Sequence, residues 1–255
     1  MRTTRFIVFL LVCLIGFGCS VGNRADSEHI HLFTTGPILI DVDAFAGDVV
    51  LKEIEGYEGT SIEIRRTEAT PLNLVRGVSW IQCSAYIEHH AYGQEVVVKL
   101  FDTERLFREK HAQIIITTSG YTGIQINTKK GNIDTTCGSI PMDIETSDGD
   151  IFVAVTQPMT KSVTIKNKRG DIYLNVLPDS SGNIDATAIG GESVLDALVG
   201  HTTLLVGTTK EHLLATLNDG TNSFVLRTVD GDIHVEVTNN PREGWSWSLD
   251  DWLPF

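Results

Sequence analysis

The sequence is short of cysteine, of helix pattern, of long apolar spans and of positive charge, and each shortage closes off a class of protein. Four cysteines occur in 255 residues; Cys13 lies in the N-terminal leader and Cys19 directly follows it as a candidate acylation site, which leaves Cys83 and Cys137. A disulfide-framed scaffold is excluded; the remaining two either form one bridge or stay as buried thiols among apolar neighbours. There is no Cys-x-x-Cys pair, no His-Glu-x-x-His, no Gly-x-Ser-x-Gly elbow, no phosphate loop and no Gly-Gly-x-Gly-x-Asp calcium repeat. The compact signatures of redox, metal, acyl-transfer and nucleotide chemistry are therefore missing. An acidic carbohydrate-active site assembled from separate rungs of a β-helix would leave no such signature, so this enzyme class stays open.

The leader is residues 1–18. Arg2 and Arg5 precede an apolar run, Phe6 to Phe17, that has the length of a signal-peptide core and is short for a membrane helix. Gly16-Phe17-Gly18-Cys19-Ser20 follows and resembles the lipobox at which bacterial lipoproteins are cut and acylated, with Gly16 where leucine is usual. Acylation of Cys19 would tether the chain to a membrane; ordinary secretion and an uncleaved anchor are the alternatives. Loss of residues 1–18 removes two of 20 basic residues and no acidic ones, leaving 18 against 33, a net charge of −15. So acidic a chain does not neutralise phosphates, which excludes nucleic acid as a partner.

What the sequence has in abundance is one repeated phrase. INTKKGNI (126–133), IETSDGDI (144–151), IKNKRGDI (165–172) and LRTVDGDI (226–233) share a template: apolar, any, Thr or Asn, any, any, Gly, Asp or Asn, Ile. Weaker copies stand at Gly47-Asp48-Val49 and Gly182-Asn183-Ile184. Alternating apolar residues that run into a glycine behind polar residues describe a strand entering a turn that needs positive φ. The strand then resumes, with Ile151, Val153 and Val155, Ile172, Leu174 and Val176, and Ile233, Val235 and Val237 inward, and His234 and Glu236 outward. One face is expected buried and the other wet.

The template glycines 131, 149, 170 and 231 are separated by 18, 21 and 61 residues, the last near three times 20. Units of about 20 residues cannot bury an apolar face alone and must stack, which predicts an all-β fold: a single β-solenoid with Gly-Asp/Asn-Ile turns. Glycines 123, 138, 182, 191, 200 and 220 are expected at further corners. Only TERLFREKHA (103–112) reads as a short helix. The expected organisation is a tether over 19–33, a solenoid over 34–240 with a less regular insertion at 66–112, and an aromatic cap or tail at 241–255. Three of four tryptophans, Trp245, Trp247 and Trp252, lie in that last stretch, and a solenoid needs its open end covered.

The runs LIDVDAFAGDVVL, GIQINTKKGNIDTTCGSIPMDIETSDGDIFVAV and SFVLRTVDGDIHVEV resemble the bacterial DUF4097 family, labelled adhesin-like, across about residues 34–238. The resemblance implies a β-solenoid and an envelope-associated or secreted protein without established enzymatic activity. No catalytic residue and no cofactor follow from it. The residues singled out are Gly131, Asn132, Gly149, Asp150, Gly170, Asp171, Gly231 and Asp232 as structural turns, with Cys19 for lipidation.

Stacking could gather Asp148, Asp150, Asp171, Asp230 and Asp232 into an acidic column able to hold a cation, but Asp and Asn also suit turns by bonding nearby backbone. His29 with His31, and His89 with His90, offer two metal ligands each, an incomplete set, and read as surface histidines. Cys137, in phase with Ile133 and Thr135, is expected inward and inert. Arg169-Gly170-Asp171 spells the integrin attachment tripeptide, yet its Gly and Asp occupy the repeated turn positions, so the turn explains them. The expected protein is non-catalytic and lipid-anchored, presenting a long polar repeat-built surface to an envelope protein or polysaccharide. A carbohydrate-active enzyme using turn acids and an envelope-stress sensor are the alternatives.

Overall fold

The computed structural model describes residues 25–67, 81–91, 93–102, 111–197 and 199–242. They form nineteen strands and no helix. β1 (Ala25–Leu32), β2 (Ile38–Ala44), β3 (Asp48–Glu53) and β4 (Thr60–Thr67) are followed by β5 (Ile81–His90), β6 (Gly93–Asp102) and β7 (His111–Thr118). Next come β8 (Tyr121–Thr128), β9 (Ile133–Cys137), β10 (Met142–Thr146), β11 (Ile151–Val155), β12 (Val163–Asn167) and β13 (Ile172–Val176). The last third holds β14 (Gly182–Ala188), β15 (Ser193–Ala197), β16 (Thr202–Leu204), β17 (His212–Leu217), β18 (Ser223–Thr228) and β19 (Ile233–Val237).

Two sheets face each other. Sheet A runs β1-β4-β7-β3-β9-β11-β13-β19-β15, and sheet B runs β16-β17-β14-β18-β12-β10-β8-β2-β6-β5. Each template phrase supplies its first half to sheet B, turns at the glycine, and supplies its second half to sheet A. β8/β9, β10/β11 and β12/β13 stack in parallel register with Ile133, Ile151 and Ile172 aligned. Seven such rungs, from β6/β7 to β14/β15, make the solenoid. Antiparallel strands extend the sheets beyond the end rungs: β4 and β1 in sheet A, β5 and then β17 with β16 in sheet B.

Rung order in space departs from the chain. Gly170 N donates to Asp230 O at 2.8 Å and Ile172 stands beside Ile233, so β18/β19 sits directly on β12/β13. The 61-residue interval therefore does not hold two intervening rungs; its residues form β14/β15 on the far side of β18/β19, with β16 and β17 beyond. The other end is built likewise, since β2/β3 lies between β6/β7 and β8/β9. Residues 81–102 and 111–112, expected in a less regular insertion, supply a hairpin and, continued by 113–118, a full rung. The expected helix over 103–112 lies outside the described residues except for its last two, which begin β7.

The core fills the space between the sheets. Ile40, Val42, Ile126, Ile144, Ile165 and Leu226 from sheet B meet Val49, Ile114, Ile133, Ile151, Ile172 and Ile233 from sheet A, all buried. At roughly 1.5–3 kcal/mol for each fully buried aliphatic side chain, this seam is the main stabiliser of a fold whose described residues form no disulfide. The predicted inward positions are as expected, including Cys137, while β11 is buried at every position, Phe152 and Ala154 included. Alternation fails there because a parallel strand can be covered on both faces.

Gly123 and Gly182, expected at corners, lie inside β8 and β14. A Cβ on Gly182 would come within 2.7 Å of the Phe224 ring, so this glycine makes room for a core aromatic. The corner of its rung is instead at Gly190-Gly191, where a Cβ on Gly191 would meet Gly231 O at 2.1 Å.

Candidate interaction surfaces and the turn column

The repeated turns form one column along an edge of the solenoid. Gly131, Gly149, Gly170 and Gly231 have φ of 137°, 138°, 114° and 152°, a region that disfavours side chains. Position in the stack adds a second reason for glycine: a Cβ on Gly149 would lie 2.2 Å from Gly131 O, and one on Gly131 2.1 Å from Gly47 O. Each following residue then reaches to the next rung. Asp48 Oδ1 accepts from Asn132 N, Asn132 Oδ1 from Asp150 N, Asp150 Oδ1 from Asp171 N, Asp171 Oδ1 from Asp232 N, and Asp232 Oδ1 from Glu192 N, every one at 2.8 Å. The Thr or Asn three residues before three of the glycines closes the other side: Thr146 Oγ1, Asn167 Nδ2 and Thr228 Oγ1 donate to Gly131 O, Gly149 O and Gly170 O at 3.4, 2.7 and 3.1 Å, while Thr128 Oγ1 donates to Lys130 O of its own turn.

The whole template is thus an inter-rung hydrogen-bond ladder. Its acids bond backbone of the neighbouring rung, whereas short-range turn bonding was the expectation; stacked rungs lie about 4.8 Å apart, within reach of a short Asx side chain. One oxygen of each of Asp48, Asp150, Asp171 and Asp232 is committed to a backbone amide. Asp148 and Asp230 lie off the ladder, with Arg169 between their rungs: Arg169 Nη2 donates to Asp148 Oδ2 at 2.9 Å, and Arg169 pairs beside Asp230. In the Arg169-Gly170-Asp171 tripeptide both aspartate oxygens are engaged, the second by Tyr173 Oη at 3.0 Å.

The outer face of sheet B carries the long polar surface. In register across strands stand Lys99, Asp43, Asn127, Glu145, Lys166 and Arg227. At about 4.8 Å per strand the row runs roughly 24 Å. Asn127, Glu145 and Lys166 are exposed and without a side-chain hydrogen bond or ion pair among the described residues. A parallel row holds Asp41, Gln125, Asp143, Thr164, Val225 and Asp185. Burial, then the nearby Glu95, pushes Asp41 above the usual carboxylate range. Burial also works against ionised Asp185, but hydrogen bonds from Arg227 and His212 prevail and hold it low.

The outer face of sheet A is different. Val50, Asp134, Phe152, Tyr173 and His234 follow one another across β3, β9, β11, β13 and β19, and the Tyr173 and His234 rings stack at 5.0 Å. A cleft of about 60 Å³ lies among Val50, Ile133, Asp134, Phe152 and Tyr173, far below the ~300 Å³ of ordinary ligand pockets. Burial pushes the Asp134 carboxyl up, with Arg242 opposing.

A family model described as Toastrack DUF4097 matches residues 94–236, more than half of the sequence. This chain belongs to the Toastrack DUF4097 family. The matched stretch opens in β6 and closes in β19, so it takes in six of the seven rungs and the turn ladder from Asn132 to Asp232, and leaves β1 to β5 outside. Among solved structures the Toastrack chain is similar to one described as a "putative cell adhesion protein" from Clostridium sporogenes, with a TM-score of 0.59 at 11% identity, covering 84% of this chain and 100% of that one. A "putative adhesin" from Bacteroides fragilis aligns at TM-score 0.40 and 14% identity, covering 85% of this chain and 98% of that one. The first likeness is one of fold. No curated protein sequence matches the chain.

The remaining candidates of this Toastrack protein fall in separate places. Cys83 and Cys137 are free thiols, pushed up by burial to about 11 and about 12, which removes thiolate nucleophilicity at neutral pH. His29 and His31 are exposed on β1, with His29 4.0 Å from Glu63. His90 lies against Glu95 at 2.5 Å and near Glu88 at 3.9 Å, so Glu88, His90 and Glu95 gather three donor atoms, one short of a closed tetrahedral set. Sequence reading missed this trio because its members come from two strands of a hairpin. Cys19 and residues 243–255 lie outside the described residues.

Proposed function

We propose that this Toastrack protein is a non-catalytic, lipid-anchored envelope scaffold, held through acylated Cys19, which binds an extended polysaccharide on the outer face of sheet B. The observation that carries the reading is the row Lys99, Asp43, Asn127, Glu145, Lys166 and Arg227, in which one polar side chain per rung faces solvent at a fixed step. A repeating polymer can make the same contact at successive rungs, each contact weak and the sum useful. The adhesion names carried by proteins of similar fold agree with such a role. The turn acids, by contrast, hold the stack together.

Purified full chain titrated with envelope polysaccharides by calorimetry is expected to bind one of them, and Glu145→Lys with Lys166→Glu is expected to abolish that binding without lowering stability. Unchanged binding in this double variant would overturn the assignment to sheet B. Release of reducing or unsaturated ends, lost in Asp150→Ala or Asp171→Ala, would replace it with the enzyme reading. Recovery of one stoichiometric membrane protein in place of glycan would favour a sensor. Cys19→Ala is expected to abolish membrane fractionation, and persistence in the membrane fraction would locate the anchor elsewhere.

A further inference from the structure

Glu88 and Glu95 stand directly opposite each other in the antiparallel pairing of β5 with β6, and His90, two residues beyond Glu88 on the same face, stands opposite Gly93. Because Gly93 opposes it with no side chain, the imidazole can lie over the carboxylate pair. His90 Nε2 is 2.5 Å from Glu95 Oε2 and 3.9 Å from Glu88 Oε2. One ligand atom from each of the three residues lies within 4.8 Å of the other two.

Like charges directly opposite across a strand pair destabilise it, and this pair has more of the same sign beside it. Leu39 of β2 pairs with Glu95 and Asp41 with Val97, so Asp41 lies one diagonal step from Glu95 on the outer face of sheet B. After burial, the Glu95 charge is the largest cause that raises the Asp41 carboxyl, and Glu88 adds to it, with Lys99 opposing. A protonated imidazole offsets one carboxylate, whereas a divalent ion offsets both.

We propose that Glu88, His90 and Glu95 bind one divalent ion of the zinc class, His90 through Nε2 and each glutamate through one oxygen, with the fourth position open to water. Ligand atoms 2.0–2.2 Å from a tetrahedral zinc ion stand about 3.4 Å apart. The two distances to Nε2, 2.5 and 3.9 Å, bracket that value, so each carboxylate has to shift by under about 1 Å. Imidazole with carboxylate is a donor mix of zinc and its first-row neighbours, while calcium and magnesium take oxygen alone. Side-chain exposures of 48% for Glu88, 27% for His90 and 16% for Glu95 give the ion a path from solvent. Thr35 N donates to Gln94 Oε1 at 2.7 Å and ties this end of the hairpin to the loop after β1, which holds the ligand strands in place. Glu88 and His90 precede residue 94, where the family match begins, so the site belongs to the hairpin of this chain. It stands whether or not sheet B meets a polysaccharide.

The test is calorimetric titration of untagged, chelator-treated full chain with zinc chloride at pH 7. One ion per chain is expected, together with a raised thermal midpoint. His90→Gln and Glu95→Gln are each expected to weaken binding at least tenfold while circular dichroism stays unchanged. His89→Gln, on the opposite face of β5, and His29→Gln, in β1, are expected to bind as the parent does. Absence of both binding heat and midpoint shift overturns the proposal and leaves His90 as an ion-pair partner of Glu95. Zinc uptake that persists in His90→Gln and Glu95→Gln also overturns it, by placing the ion elsewhere. So does calcium that binds as tightly as zinc, which would mark an acidic surface only.

Discussion

Replacing Gly149 with alanine tests the turn column in the middle of the stack. The substitution puts a side chain at φ 138°, a conformation that costs a non-glycine residue about 1–3 kcal/mol. It also places Cβ 2.2 Å from Gly131 O and 2.5 Å from Gly131 C, backbone atoms that can yield only by moving a rung. Moving it strains Gly131 N to Asp148 O, Ile133 N to Asp150 O and Asp150 N to Asn132 Oδ1, at 2.8, 2.9 and 2.8 Å. At about 0.5–1.5 kcal/mol each, the expected total is roughly 2.5–7.5 kcal/mol, a large part of the ~5–15 kcal/mol that holds a domain folded. Gly56→Ala is the internal control, because Gly56 has φ 76° but a Cβ there meets nothing within 4 Å, for an expected cost of about 1–2 kcal/mol. Urea unfolding followed by circular dichroism reads both variants. If Gly149→Ala is no less stable than Gly56→Ala, close stacking is not the reason for the repeated glycine and the reasoning is refuted.

Asp171→Ala removes the acceptor of Asp232 N and should cost about 1–3 kcal/mol, whereas Asp171→Asn keeps the oxygen, as Asn132 does naturally, and should stay near the parent in the same urea assay. Equal losses would show that charge matters, and not the ladder. Asp134 has a folded carboxyl raised above 3.8 by burial, so its ionised form weakens the fold at neutral pH and the penalty fades as pH falls through the raised value; Asp134→Asn is expected to stabilise at pH 7 and to gain less near pH 4. Asp185 is held below 3.8, so its contribution is present above that value and lost in acid; Asp185→Asn should lower the unfolding midpoint at pH 7 and leave it unchanged near pH 2. Cys137 should react with a thiol reagent at pH 8 only as fast as the protein unfolds, and fast labelling of native protein would contradict its burial.

The stack was legible because each rung must satisfy the same backbone contacts, so Gly131, Gly149 and Gly170 recur with Asn132, Asp150 and Asp171 behind them. Periodicity of two likewise placed Ile151, Ile172 and Ile233 inward. Rung order was not legible. Nothing local distinguishes a phrase that stacks on its sequence neighbour from one that stacks 61 residues away, and only the pairing of Ile172 with Ile233 reveals it. Gly182-Asn183-Ile184 imitates the template in letters, while its glycine is there for the Phe224 ring, a contact made from 42 residues away. The turn acids were recognised as turn residues, but the backbone amides that donate to them lie on other rungs. The sheet B row was foreseen only as a polar face, since a cross-rung line such as Asn127, Glu145 and Lys166 exists only after register is fixed.

The central claim is a division of labour in which turn acids hold rungs together and the sheet B row meets the partner. One calorimetric titration of the bound polysaccharide decides it, run on Asp150→Asn with Asp171→Asn and, side by side, on Glu145→Lys with Lys166→Glu. The account predicts parent-like binding for the turn pair and none for the row pair; lost binding in the turn pair with intact binding in the row pair would contradict it.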